Sequence, residues 1–446
     1  MRDILLAAFI LGLIPLILRN ATVGTFAWAW FSMMNPHRMT FGFAQSIPFA
    51  LILAITTLLA FAASKQRRPL PINSVTVVQM LLLFWMGVTS IFALNSTDVV
   101  LERVIFFGKI QLMLFVTMML VRGRKDIERL IWVVTFSIGF YGIKGGVWTV
   151  LSGGGNRVYG PTGTMLEENN GLAVALVMVL PFMAYLYQVS THKLMRWALM
   201  ACMVFTGFSI LGSQSRGAFL ALTFMVALLG FKSRYPVRAT VVLACLVLVA
   251  VAFMPDTWKS RMESVQTYQE DSSAMSRLYT WQTLWNLAID RPIIGAGFRT
   301  DSAAIFAKYA PFDGSNIFEN EGIFVAHSIY FQALGEHGFP GLLLFLLLGI
   351  VAWRKAGKLA RLTKNDPEFG TWVPLLMPMT QVSLIGFAVG GAFLSMMQFD
   401  FPYYIVCYVV LVDTTVRDSL AQRPKVISPG AVFGARPYPV QKVEQP

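Results

Sequence analysis

The sequence predicts an all-α polytopic membrane protein, and three observations lead to that prediction. Of its 446 residues 56% are hydrophobic and only 13% are charged, about half the charged fraction of an ordinary soluble domain. The mean hydropathy is +0.62. Apolar runs long enough to cross a hydrocarbon core of about 30 Å recur along the chain. This composition excludes a soluble globular enzyme and a disordered protein.

The apolar runs predict about 12 transmembrane helices. No small-residue cleavage site follows the first run, so we expect a retained helix and not a signal peptide. The segment 20–36 is apolar and rich in Trp, but Asn20 and Pro36 bound it, and we expect an interfacial or re-entrant piece. The runs lie at about 4–18, 42–63, 74–94, 102–121, 129–151, 170–189, 194–212, 216–231, 237–253, 328–352, 372–397 and 401–415.

The formal net charge of +13 is explained by sidedness and does not by itself indicate nucleic-acid binding. Basic residues concentrate in six connections, and cytoplasmic loops of membrane proteins carry such an excess. Leaving out 20–36 places all six in the cytoplasm, together with both termini. Counting 20–36 as a crossing leaves the first basic loop on the wrong side or requires an odd total. The six connections are 65–68, 122–129, 193–196, 232–238, 354–364 and the tail from 417.

This topology divides the chain into four parts. Residues 1–253 hold nine spans plus the interfacial segment, and 328–415 hold the last three. Between them, residues 254–327 are expected to form a large external loop, which is partly helical because it has helical patterning and turn signals. A connection of this length is usually functional. The polar, Pro-rich tail 416–446 is expected to be cytoplasmic and disordered.

Three polar clusters lie beside apolar runs on the predicted external face, where ionisable groups are costly and often functional. The first contains Arg157 and, at the start of the next helix, Asn170. It fits an anion site, or else a polar loop with an Asn helix cap. The second is Arg216, which lies at the boundary between two apolar runs that only a few polar residues separate. It fits a bidentate phosphate ligand, or else a snorkelling arginine.

The third cluster opens the run at 328–352 with His327 and Tyr330, and His337 follows ten residues after His327. A histidine at the rim can serve as a general base near neutral pH, or simply be a polar residue at a helix start. A deep histidine is more often a packing residue. In the large loop, Arg277 and Arg299 are interleaved with aromatic residues such as Trp281. Such a surface suits both phosphate and sugar, although the aromatic rings could equally form the core of a small cap.

Taken together, these motifs resemble the O-antigen ligase/polymerase superfamily of bacterial inner-membrane glycosyltransferases, over about residues 70–415. The opening of the chain and 141–146 also resemble a ligase-like subgroup found beside exosortase systems. The motifs that carry the resemblance are Arg157…Gly160…Asn170, Ser215-Arg216-Gly217, Arg277…Trp281…Pro292…Gly295-Ala296-Gly297, and His327-Ser328 followed nine residues later by Gly338-x-x-Gly341.

The resemblance implies a GT-C-like membrane fold with His327 as the essential histidine and Arg216 and Arg277 as important arginines. It implies transfer of O-antigen glycan from undecaprenyl-diphosphate to lipid A-core at the periplasmic face of the inner membrane, probable inversion, and no cofactor or metal. Arg157, Asn170, Arg299, Tyr330, Trp281 and His337 are then expected to bind substrate. The expected partners are the lipid-linked donor, the lipid A-core or a protein acceptor, and membrane lipid, with no nucleic acid.

Alternatives remain open at this point. A polymerase and a protein O-glycosyltransferase are relatives in the same superfamily. A lipid or polysaccharide transporter fits the composition, but such proteins usually carry charges within their spans and related halves. Here few charges lie deep within the predicted spans, among them Lys144 and the pair Glu336-His337, and no matching halves are evident.

Overall fold

The computed structural model describes residues 1–65, 67–232, 272–311 and 322–423, together with the single positions 248, 252 and 256. The span predicted at 237–253, apart from two of those positions, most of 254–271, the segment 312–321 and the tail after 423 lie outside the described residues. Within the described part, all regular structure is helical. The helices are α1 (Arg2–Arg19), α2 (Ala21–Met34), α3 (Phe49–Ala63), α4 (Ser74–Ile91), α5 (Thr97–Leu120), α6 (Gly123–Leu151), α7 (Asn169–Val189), α8 (Lys193–Gly212), α9 (Arg216–Lys232), α10 (Ser272–Asp290), α11 (Ala303–Tyr309), α12 (Ile329–Leu362), α13 (Val373–Gly390) and α14 (Asp400–Gln422).

Six of the described helices are long and apolar enough to cross a membrane, which confirms an all-α polytopic membrane fold. The total of about 12 crossings stays a prediction. Two further apolar helices, Phe49–Ala63 and Arg216–Gly230, are shorter. The six are Ser74–Ile91, Gly123–Leu151, Asn169–Val189, Lys193–Gly212, Ile329–Leu362 and Val373–Phe393.

Helices α7 and α14 form the centre of the bundle. Nearly every residue of α7 from Gly171 to Leu186 is buried, and so is almost every residue of α14 from Asp400 to Asp413. Phe182 of α7 packs edge-on against Tyr408 of α14, with ring centroids 5.4 Å apart. A helix that is apolar on all sides is stable only when neighbours surround it, and these two therefore mark the core.

The connections gather at two ends of the bundle. At the basic end, defined by 64–73, 121–123 and 363–372, Arg68 makes an ion pair with Asp418 near the end of α14. At the loop end, defined by 152–168, 213–215 and 391–399, Val158 donates to the Gly212 carbonyl at 3.1 Å and Asn169 donates to the Ser213 carbonyl at 2.7 Å.

The chain starts at the loop end, opposite to the side expected from the charge count. Asp3 accepts hydrogen bonds from the backbone N–H groups of Gly42 and Ala44, at 3.0 and 3.1 Å. The guanidinium group of Arg38 lies against Gly163 in the loop 152–168. The first residue and residue 423 therefore lie at opposite ends of the bundle, which corrects the expectation that both termini share one side.

Helix α2 explains the difference. It runs antiparallel to α1 and α3, with Gly24 against Ile17 and Thr57, and ends where the Tyr141 hydroxyl donates to the Met34 carbonyl at the loop end. Most of its residues are buried. This geometry favours a passage through the bundle over the interfacial or re-entrant placement expected for 20–36. At 14 residues, about 21 Å, α2 is too short to be recognised as a span from length alone.

Candidate functional site

Two neighbouring cavities open at the loop end, and Leu394 lines both. The large cavity has a volume of about 660 Å³. The arginine cavity is small, about 50 Å³, and is named for its two arginines. Polar and charged side chains lining the large cavity are Arg103, Tyr159, Thr164, Glu167, Glu168, Arg299, Thr300, Asp301, His327, Gln332, Glu336, Ser395 and Gln398. The arginine cavity is lined by Asn170, Gln214, Ser215, Arg216, Ser273 and Arg277, and four apolar residues and two glycines complete its described wall.

His327 is held at the wall of the large cavity by its neighbours on both sides. Its backbone adopts the left-handed conformation, with φ 46°, and its N–H donates to the Ser395 hydroxyl at 2.7 Å. The preceding carbonyl, of Ala326, accepts from the Trp281 indole at 2.9 Å. The following residue, Ser328, caps α12 by accepting from the first backbone N–H groups of the helix. The imidazole is therefore presented from a fixed backbone.

The imidazole of His327 is neutral at pH 7. Partial burial and the nearby charge of Arg277 lower its pKa from 6.5 to about 4. A neutral imidazole has a ring nitrogen able to accept a proton. The effect of the Arg277 charge on the His327 pKa indicates that the two side chains are near each other, although Arg277 lines the other cavity.

The arginine cavity brings together three residues that the sequence predicted from separate segments. Arg216 is the first residue of α9, Asn170 the second of α7, and Arg277 lies in the first half of α10. All three side chains line this cavity. With His327 beside Arg277, the predicted catalytic residues converge at one end of the bundle.

The glycine pattern after His327 serves to dock the loop 291–301 against α12. At Gly338 the helix is interrupted, with φ 68° and ψ −173°, and the N–H of Phe339 donates to the Pro292 carbonyl at 2.8 Å. A β-carbon at Gly338 would lie 2.6 Å from the Pro292 carbonyl oxygen, and one at Gly341 would overlap the His337 β-carbon. Gly338-x-x-Gly341 is therefore required by close backbone approach.

The docked loop carries Arg299 to the wall of the large cavity. Its guanidinium group pairs with Asp301 at 2.9 Å, and its backbone N–H donates to the Glu336 carboxylate at 3.3 Å. Glu336 is 3% exposed and also accepts hydrogen bonds from Gln332 and Gln398, each at 3.3 Å. The bottom of the large cavity is thus a hydrogen-bonded carboxylate.

Three residues expected to bind substrate are placed elsewhere. Trp281 uses its indole N–H on the Ala326 carbonyl, and its ring stacks on Phe331 at 5.2 Å. His337 is fully buried, with Nδ1 2.7 Å from the Thr89 hydroxyl. These contacts support the fold around the site, and substrate binding by either residue stays a prediction. Arg157 is exposed and donates to Gln214 at 3.3 Å, beside the arginine cavity but not in its described lining.

Tyr330, which is also expected to bind substrate, donates its hydroxyl to the Ala388 carbonyl at 2.7 Å and faces a separate apolar groove of about 600 Å³. The groove lies between α12, α13 and α14 and extends from Tyr330 to Arg354, across the interruption of α12 at Gly338. It begins two residues from His327. Its apolar lining includes Ile329, Phe345, Leu346, Leu348, Ile350, Trp353, Leu384, Ile385, Phe387, Ala388, Pro402 and Val406.

The sequence reasoning missed several lining residues. Arg103 carried a usable signal, because it is a charged residue inside an apolar run. Glu168 lies in a polar loop and Glu336 is a charge within a predicted span, and neither feature by itself indicates a cavity. Ser395 and Gln398 follow α13 in a short irregular segment, and no sequence feature connects them with His327.

Comparison with known families agrees with this geometry. Residues 199–346 match a family model described as O-antigen ligase. This match, over about a third of the chain, supports membership of the O-antigen ligase superfamily. The matched segment contains Arg216, Arg277, Arg299 and His327. Residues 1–191 match a family of unknown function, and no curated protein matches the chain. Asn170 and Arg103 come from that second segment, so both matched segments contribute to the cavities.

Proposed function

We propose that this protein transfers O-antigen glycan from undecaprenyl-diphosphate to a hydroxyl group of lipid A-core at the periplasmic face of the inner membrane. One observation carries the proposal. His327 lines the large cavity next to Arg277, which lies with Arg216 in the adjoining arginine cavity. A neutral histidine and two arginines therefore lie together at the end of the bundle where the large cavity borders the apolar groove.

The two arginines are suited to the diphosphate. A guanidinium group binds phosphate oxygens through two parallel hydrogen bonds, and Arg216 and Arg277 line one cavity with amide and hydroxyl groups. Negative charge grows on the departing diphosphate oxygen as its bond to the anomeric carbon breaks. Preorganised cations stabilise that charge, and this is the contribution that we assign to both arginines.

His327 is suited to activating the acceptor. In the proposed reaction its neutral ring takes the proton of the acceptor hydroxyl while the oxygen attacks the anomeric carbon. A new glycosidic bond forms, undecaprenyl-diphosphate leaves, and attack from the opposite side inverts the anomeric configuration. The sugar is already activated by the diphosphate, so the reaction needs no nucleotide sugar.

The apolar groove suits the lipid tail of the donor. Its wall is mostly aliphatic and aromatic, and it starts beside His327 and continues along the part of α12 that follows the interruption at Gly338. The donor would enter sideways between helices with its diphosphate at the loop end. The basic end carries the Lys- and Arg-rich connections, and the positive-inside rule favours a cytoplasmic position for that end, which supports a periplasmic position for the cavities.

The deciding experiment is transfer in vitro with purified protein, undecaprenyl-diphosphate-linked glycan and a choice of lipid A-core or protein acceptor, with and without a chelator. We expect glycan on lipid A-core in both conditions. Transfer only to protein would make the chain a protein O-glycosyltransferase, and joining of donor units to each other would make it a polymerase. Loss of transfer with chelator would contradict a metal-independent reaction.

In cells, the same alternatives give different lipopolysaccharide ladders. Loss of a ligase leaves the core without any repeat unit and lipid-linked polymer accumulates. Loss of a polymerase leaves a single unit on the core. A deletion strain complemented with this chain therefore separates the two activities without purification.

A further inference from the structure

We propose that the acceptor end that enters the large cavity is uncharged and rich in hydroxyl groups, without phosphate or carboxylate near the reacting hydroxyl. The inference rests on the proposed transfer reaction and concerns the substrate of the same site. Its basis is a difference in charge between the two cavities on either side of His327.

The described lining of the large cavity carries more carboxylates than cations. The acids that are not enclosed in the protein are Glu167, Glu168 and Asp301, against the guanidinium groups of Arg103 and Arg299. In the arginine cavity the described lining holds two guanidinium groups with amides and hydroxyls. An anionic group is therefore less favoured in the large cavity than in the arginine cavity.

The cations of the large cavity do not offset this difference. Arg299 already pairs with Asp301 at 2.9 Å, and the Asp301 side chain is only 17% exposed. Arg103 lies over the ring of Phe106, with 5.9 Å from its guanidinium carbon to the ring centroid. An incoming phosphate would have to compete with the carboxylate for Arg299, and its own charge would be repelled by the remaining acids.

The same acids are well suited to hydroxyl groups. An ionised carboxylate only accepts hydrogen bonds, and every sugar hydroxyl can donate one. Glu168 is exposed, and its carboxylate makes no hydrogen bond or ion pair within the described part of the chain. Glu167 accepts from the Gly163 N–H through one oxygen, at 2.8 Å, which leaves its other oxygen for a ligand. Both flank the opening of the cavity beside α7.

The test compares two synthetic acceptors that share one glycan and differ by a single phosphate on the sugar bearing the reacting hydroxyl. Purified full-length protein is supplied with undecaprenyl-diphosphate-linked glycan, and kcat/KM is measured for each acceptor. We expect the unphosphorylated acceptor to be used at least about tenfold better. Glu168→Gln should reduce that preference about fivefold, the Coulomb effect of one charge at roughly 8 Å with an effective dielectric constant of ~40.

Glu102→Gln is the matched control, because Glu102 is an exposed acid at the same end of the bundle outside the described lining, and it should leave the preference unchanged. Equal or better use of the phosphorylated acceptor by the wild type, or an unchanged preference in Glu168→Gln, would overturn the inference and leave the proposed transfer standing. If neither acceptor received glycan while a protein acceptor did, the proposed function would fail, and this inference with it.

Discussion

Replacing Gly338 with Ala should detach the loop 291–301 from α12. The backbone at Gly338 has φ 68° and ψ −173°, a region that residues with a β-carbon adopt at a cost of about 1–3 kcal/mol. The added carbon would lie 2.6 Å from the Pro292 carbonyl oxygen and closer still to that of Ile293. Crowding of this kind costs about another 1–3 kcal/mol, so we expect a total of about 2–6 kcal/mol.

This strain is large compared with the few hydrogen bonds that attach the loop to α12. The loop is attached to α12 through the Phe339 N–H to the Pro292 carbonyl, and through the N–H groups of Ala296 and Gly297 to carbonyls of α12, all at 2.8 Å. Each contributes about 0.5–1.5 kcal/mol. The strain is therefore comparable to the whole attachment, and relieving it by lifting the loop would move Arg299 away from the cavity. We expect transfer to fall more than global stability does.

Gly87→Ala is the matched control, because Gly87 lies inside α4, outside the described linings of both cavities and the groove, and no atom is within 4 Å of its would-be β-carbon. Alanine favours helix over glycine by about 1 kcal/mol, so this variant should be neutral or slightly more stable. Thermal unfolding of both purified variants in one detergent, together with in vitro transfer, measures the difference. Equal melting temperatures and equal transfer rates for the two variants would refute the steric argument.

Three further substitutions test the site. His327→Ala should abolish transfer at an unchanged protein level, and a full lipopolysaccharide ladder in cells carrying it would show that His327 is not the base. Arg216→Lys keeps the charge but loses the planar fork, and we expect transfer to fall about a hundredfold; wild-type turnover would reduce Arg216 to a structural role. Arg277→Gln removes a charge that opposes protonation of His327, so the pKa should rise from about 4 part of the way towards 6.5. The acidic limb of the pH–rate profile should then move to higher pH, and a limb that stays in place would show that Arg277 does not act on His327.

The sequence was sufficient for the fold class, because a membrane imposes apolar runs that composition reveals directly. It was not sufficient for α2. A helix of 14 residues that is covered by its neighbours does not need the 20 or so apolar residues of a lipid-exposed span. The number of crossings decides the side of the membrane to which each connection is assigned. Leaving out one helix therefore reverses the side assigned to the residues that precede it, and the charge count places the N-terminus at the end of the bundle opposite to the one observed.

For the site, the sequence could propose residues from their type and position, but it could not predict the tertiary contacts that their side chains make. His327, Arg216 and Asn170 could be proposed from residue type, position at a run boundary and the family resemblance. Trp281 has the same type of aromatic ring as a sugar-binding residue, but its indole N–H reaches the Ala326 carbonyl. His337 is identical to His327 in chemistry and differs only in being enclosed. Such contacts are set by tertiary packing, which local sequence does not encode.

The external arginines show why position matters more than number. Counting charges suggests that every arginine left on the external face could bind the diphosphate. The structure distinguishes them: Arg299 pairs with Asp301 at 2.9 Å, and Arg157 is exposed and donates to Gln214. Arg216 and Arg277 share one cavity with the amide groups of Asn170 and Gln214 and the hydroxyl groups of Ser215 and Ser273. A phosphate is bound well where guanidinium groups are accompanied by amide and hydroxyl donors, so these two arginines are the ones to which the diphosphate is assigned.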